Sequence, residues 1–155
     1  MKFKDAVKEA GKNEHVKGLA GRGYFLNSGI ALLAPGTYAF GDWILTYYNK
    51  GENKVIQACV SDGCVDVRPP AEPLNPSKTA LDLKRIKTSE EKMMEKAKRA
   101  FLAHKKVLSQ VIVVIQSEKP FWRFSFITKT LEVVTVEVDA EKGAVTRDDV
   151  NALTK

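Results

Sequence analysis

Two cysteines, Cys59 and Cys64, are the only thiols in the chain, and they bracket Val60-Ser61-Asp62-Gly63. A two-residue turn at Asp62-Gly63 would set Cys59 opposite Asp66 and Cys64 opposite Ser61, so the thiols share a face but lie on a diagonal. A disulfide wants Cβ atoms about 3.5–4.5 Å apart, and only a wider loop would oppose the pair directly. Free thiols and a disulfide under oxidising conditions both stand, whereas two thiols without nearby histidines fall short of a four-ligand zinc site. Thiol exchange is the one covalent reaction such a pair could offer.

The two histidines offer less. His15 lies at the end of the first helical pattern and His104 on the apolar side of the second, and neither has a serine, cysteine and acid in a local motif. A hydrolytic triad would need distant assembly, and a partly buried, hydrogen-bonded imidazole is the expectation for His104. The run Gly18-Leu19-Ala20-Gly21-Arg22-Gly23 carries N–H groups that could cradle a phosphate. Its context is wrong, because a nucleotide loop follows a strand and opens a helix, and this run does the reverse without a Gly-Lys-Ser or Gly-Lys-Thr ending. No catalytic set, metal or cofactor is expected, and the chain reads as a non-enzyme.

Charge is the sharper signal. The chain carries 25 Lys and Arg against 19 Asp and Glu, a net +6, and the excess sits between Lys78 and Lys106. Lys84, Arg85, Lys87, Lys92, Lys96 and Arg99 are the candidate binding residues, a set of cations on a linker and one helix side that could bind an anion or nucleic acid without sequence preference. The plain alternative is that a helix with a buried stripe must place soluble residues elsewhere, and lysine is a good helix former.

These residues need elements to hold them. The chain has 155 residues, 44% hydrophobic and 28% charged, a balance that excludes disordered and collagen-like classes. A membrane helix needs roughly 20 consecutive apolar residues, and the longest stretch, Gly29 to Ala34, is cut by Pro35-Gly36. Asp5, Lys8 and Glu9 stand where a signal peptide would have its apolar core. As written the chain reads as cytoplasmic, and as exported if a leader has been removed.

A first helix is expected from Phe3 to Asn13, then strands over Tyr24–Leu33, Tyr38–Phe40, Trp43–Tyr48 and Val55–Val60, with Cys64–Val67 after the Asp62-Gly63 turn. Four of the six prolines fall between Pro69 and Pro76, which places a boundary there. Thr88-Ser89-Glu90-Glu91 opens a second helix carrying Met93, Ala97, Ala100, Phe101, His104 and Leu108 on one face. Strands follow over Val111–Ile115, Phe121–Ile127 and Leu131–Val138.

Trp43-Ile44-Leu45-Thr46-Tyr47-Tyr48 aligns with Trp122-Arg123-Phe124-Ser125-Phe126-Ile127. The alignment sets Val60 over Val138, Gly63 over Gly143 and Val65 over Val145. The expected architecture is therefore α+β, in tandem units of one helix packed on about four antiparallel strands. The first unit covers 1–70, a Pro-rich then basic linker 71–87, and the second unit 88–155. Trp43, Trp122, Phe124 and Phe126 are read as packing residues.

Ile86-Lys87-Thr88-Ser89-Glu90-Glu91 before the helix, Phe121-Trp122-Arg123-Phe124 in a strand, and Val136-Glu137-Val138-Asp139-Ala140-Glu141-Lys142-Gly143-Ala144-Val145 at the close together resemble a PepSY domain. The resemblance covers Ile86 to Arg147 directly and the first half through the repeat. It implies cystatin-like units and a non-enzymatic module that contacts or restrains a protein or peptide partner such as a peptidase.

Overall fold

The computed structural model describes residues 1–73 and 78–153. The elements in order are α1 (Phe3–Ala10), α2 (Glu14–Lys17), a 3₁₀ turn (Ala20–Arg22), β1 (Tyr24–Leu33), β2 (Trp43–Asn49), β3 (Lys54–Ser61) and β4 (Cys64–Val67). A second 3₁₀ turn (Leu83–Arg85) precedes α3 (Glu90–Leu102), β5 (Leu108–Gln116), β6 (Phe121–Thr128), β7 (Glu132–Asp139) and β8 (Val145–Ala152). The fold is α+β. All eight strands form one antiparallel sheet in the order β4-β3-β2-β1-β5-β6-β7-β8.

Alternation along the strands decides which face is covered. Leu45, Val60, Val113, Phe124, Phe126, Val134 and Val136 are all buried, and each falls on the face that α1 and α3 cover. α1 lies over β2 and β3, and α3 over β6 and β7. The hairpin registers follow from the turns: Val60 faces Val65 across Asp62-Gly63, and Val138 faces Val145 across a longer turn. Trp43 faces Val60, and Trp122 faces Val138.

The aromatic core gathers where the two halves meet. Phe3 packs edge-on against Trp43 at 5.1 Å and Trp122 at 6.4 Å, and the two indoles lie 6.5 Å apart. Such pairs contribute roughly 0.5–1.5 kcal/mol each beyond the area they bury. Each indole N–H is satisfied next to a helix start: Trp43 Nε1 donates to the Met1 carbonyl at 2.9 Å, and Trp122 Nε1 to Thr88 Oγ1 at 3.0 Å. Phe3 reaches this position because β1 has no side chain at Gly29. A Cβ there would lie 2.3 Å from Phe3 Cε1 and 3.2 Å from Ile115 Cγ2.

The turn after β7 docks the start of α3. Asp139 Oδ1 accepts from the amides of Glu141 (2.8 Å) and Lys142 (2.9 Å), which closes the turn and holds the carboxyl below the usual range. Gly143 follows with φ +77, a conformation that favours glycine. The Ala140 carbonyl accepts from the amides of Lys87 and Thr88 and from Thr88 Oγ1. The closing phrase Asp139-Ala140 through Gly143 is thus a socket for the residues before α3.

Several expectations need correction. The first helix stops at Ala10, and Asn13 caps the separate turn α2 through bonds to the amides of His15 and Val16. Tyr38–Phe40 is not a strand. It lies in the β1–β2 connection, where Tyr38 has φ +51, its ring sits 4.5 Å below Lys98 Nζ, and Phe40 stacks on Trp43. The second helix ends at Leu102, because Leu108 is drawn into β5 and Lys105 turns the chain with φ +55. His104 and Leu108 therefore leave the helical face assigned to them. The Gly18–Gly23 run, expected as a flexible connection, contains the 3₁₀ turn and ends in Gly23 at φ +88.

The segment assigned as linker, 71–87, makes defined contacts. Ala71 bridges Val55, the Leu81 amide donates to the Leu26 carbonyl, and Leu81 and Ile86 are buried. Its residues 74–77 lie outside the described residues, as do 154 and 155 of the second unit.

Substitutions at Gly29 and Asp139, with Gly21 as a control, test this packing. Gly29→Ala should lower the unfolding free energy by about 1–3 kcal/mol in urea titration through overpacking, while Gly21→Ala, with open space around its Cβ, should leave the midpoint unchanged or slightly raised. Asp139→Ala should cost about 1 kcal/mol through the lost turn bonds, and Asp139→Asn should recover most of it. Because the folded carboxyl titrates below its unfolded value, the Asp139 contribution is present above the ordinary carboxylate pKa and fades as pH falls through the depressed one.

Candidate functional site

Helices cover one side of the sheet, and the other side carries a second apolar patch. On β1, Ile30 and Leu32 alternate with the buried Ala31 and Leu33. On β5, Ile112 and Val114 alternate with the buried Val111, Val113 and Ile115. Registration brings them together: Ile44 opposes Ile30, Ile30 opposes Val114, and Leu32 opposes Ile112. Leu32 is 56% exposed, and single exposed leucines are ordinary, but five neighbouring aliphatic positions on one face are a patch.

Polar groups frame it. On the β6–β8 side, Arg123 Nε lies 2.9 Å from Glu137 Oε2, which Arg147 also approaches at 3.8 Å, and Arg147 Nε lies 2.6 Å from Asp149. On the β3–β4 side stand Cys59 and, opposite it, Asp66. Two depressions meet at Ile30. One, about 350 Å³, is lined by Ile30, Leu32, Ile44, Cys59, Asp42 and Arg68. The other, about 500 Å³, includes Ser28, Thr46, Gln57, Gln116, Val114 and Arg123. The face thus has an aliphatic centre, a polar rim and two shallow depressions.

The thiols are free, Cys59 half-buried and Cys64 exposed. They occupy the diagonal: Cys59 faces Asp66 and Ser61 faces Cys64, so the possible disulfide is not formed. Among the described residues no group of three or more His, Cys, Asp or Glu is placed to hold a metal. His15 is exposed on α2. His104, half-buried just beyond α3, lies 2.7 Å from Asp148 on β8. Burial raises the Tyr47 phenol to about 12, so it stays neutral.

The basic segment divides. Arg85 and Lys87 share the Glu141 carboxylate at 3.3 and 3.6 Å, and the Lys96 ammonium donates to the Gly143 carbonyl. These three hold the α3 start against the β7–β8 turn. Lys92 and Arg99 lie on the outer side of α3, with Glu91 and Glu95 interleaved, and Lys84 lies apart from them before the helix. The six candidates therefore do not form one uninterrupted basic face.

Sequence reasoning missed the aliphatic patch, although its signal was present. The unbroken run Val111–Ile115 in a strand with helix on only one side must show apolar residues to both faces. It also missed the joining of Lys2 and Lys4 with Lys84 and Lys87 around one cleft of about 560 Å³. The buried acid of that cleft is Glu90. Its carboxyl lies near its own amide and that of Phe3, at the start of α1, where Lys2 supplies no side-chain cap. Burial is the larger influence and pushes its carboxyl above the usual range.

The folded state thus keeps the Glu90 proton to higher pH than the unfolded chain, so stability is greatest below the ordinary carboxylate pKa and falls as pH rises through the elevated one. Glu90→Gln keeps a side-chain oxygen near the Phe3 amide and removes that charge. Thermal unfolding across pH should show a higher midpoint for the variant at neutral pH and a smaller fall between mildly acidic and neutral pH than in the parent.

No family model and no curated protein matches the sequence. Among solved structures, the chain is similar to a crystal structure described as a "putative lipoprotein" from Clostridium difficile 630, with a TM-score of 0.52 and 12% identity over 88% of this chain and 89% of that one. At that identity the likeness is one of fold. The described residues contain no helix long and apolar enough to cross a membrane.

Proposed function

We propose that the chain is a tandem of two cystatin-like, PepSY-like units that acts without covalent chemistry and binds a protein partner on the open face of its sheet. The duplication is supported by matching roles. In each half, the tryptophan of the second strand donates to the residue two positions before that half's own longer helix. Each such helix lies over the second and third strands of its half.

The two halves join at the central pairing of β1 with β5. Ala31 opposes Val113 and Gly29 opposes Ile115, with Ile30 opposite Val114 between them. Antiparallel pairing of the first strands of the two halves is compatible with a two-fold axis near Ile30 and Val114.

The observation that carries the function is the aliphatic patch at that axis. Helices on one side cover the core, and among the described residues no helix covers Ile30, Leu32, Ile44, Ile112 and Val114 on the other. The setting of partner contact is an exported one on this reading, in keeping with a structural neighbour described as a "putative lipoprotein".

Immobilised protein challenged with a panel of peptidases and with cell extract tests the proposal. The parent and a Lys92→Ala control should retain a partner that Leu32→Lys/Val114→Lys loses, with affinity reduced by about 2 kcal/mol or more while circular dichroism stays unchanged. Failure of any protein or peptide to bind, or binding indifferent to the open-face charges, would remove the proposal.

A further inference from the structure

Lys2 and Lys4 stand at the beginning of the sequence, and Lys84 and Lys87 some eighty residues later. Folding brings all four to the rim of the cleft where the segments leading into α1 and α3 meet, with Phe3, Ile86 and Glu90. These lining residues include one carboxylate against four ammonium groups. The Lys4 ammonium is pinned by the Ile86 carbonyl at 2.7 Å, which leaves donors to spare. Lys87 reaches Glu141 only at 3.6 Å and shares it with Arg85. Lys2 and Lys84 make no ion pair among the described residues.

Gathering like charges raises the electrostatic energy of the folded chain unless a counter-anion relieves it. Covering the core does not require it, since the hydrophobic seal there is made by Phe3 and Ile86, both buried. Lysine ammonium groups are compact point charges suited to phosphate, and a cleft of about 560 Å³ has the size of a small-ligand site. We infer that this cleft binds a terminal phosphate, either as a soluble diphosphate or phosphate monoester or as the monoester headgroup of a lipid. It lies on the helix side of the sheet, and the inference is independent of the open-face proposal.

Calorimetric titration of the full chain with inorganic diphosphate at low salt provides the test. Binding should weaken steeply as salt is added. Lys2→Ala/Lys84→Ala should lose about tenfold or more in affinity, while Lys92→Ala/Arg99→Ala, on the outer side of α3, and Leu32→Lys/Val114→Lys, on the open face, should match the parent. Absence of binding at low salt, or an equal loss in the α3 control, overturns the assignment. Co-sedimentation with phosphatidylcholine vesicles containing phosphatidic acid separates the sources. Vesicle binding that diphosphate competes away assigns a lipid headgroup, and diphosphate binding without vesicle binding assigns a soluble ligand.

Discussion

The ring of Phe3, laid on the bare backbone of Gly29 between Trp43 and Trp122, is the contact on which the rest of the structure depends. It ties the first helix to strands from both halves at the place where β1 pairs with β5. Without a close approach there, α1 would stand off the sheet and the indoles would lose their shared neighbour. Both Trp N–H groups are satisfied at helix starts, so the same residues that seal the core also fix where each helix begins. A buried N–H without a partner would cost about 1–3 kcal/mol, which makes these bonds positional as well as cohesive.

One consequence is an unequal division of the sheet's two faces. With both longer helices on one side, no helix among the described residues covers the other side of the eight-stranded sheet. Its margins carry the charges Arg123, Glu137, Arg147 and Asp149, and its centre carries aliphatic residues instead. Edge strands follow the usual protection against unwanted pairing: β4 has four residues, and β8 bears Arg147, Asp148 and Asp149 along its length. The proposed contact therefore falls on the face of the sheet, away from edges built to refuse a neighbouring strand.

Much of this was legible locally. The Asp62-Gly63 turn set the β3–β4 register, and Ser89 announced the start of α3, whose Oγ accepts the Lys92 amide. What escaped was decided at a distance. Ala103-His104-Lys105-Lys106 is compatible with helix, and only the recruitment of Leu108 into β5 ends α3 where it does. The full extent of β8 was unreadable because Thr146-Arg147-Asp148-Asp149 is polar, and an edge strand with little burial need not alternate. The fusion of two expected sheets through β1 and β5 has no local signal, since it depends on Gly29 and Ile115 meeting across some eighty residues. The basic segment looked continuous in sequence because sequence order does not show that Glu141 and Gly143 take up three of its cations.

The reading centres on the open face as the place of partner contact, and site-specific photocross-linking addresses that most directly. A photoreactive residue introduced at Leu32 should form a covalent adduct with a single bound protein, and the same residue at Lys92 should form none. Adducts from the Lys92 position alone, or from neither position, would contradict it.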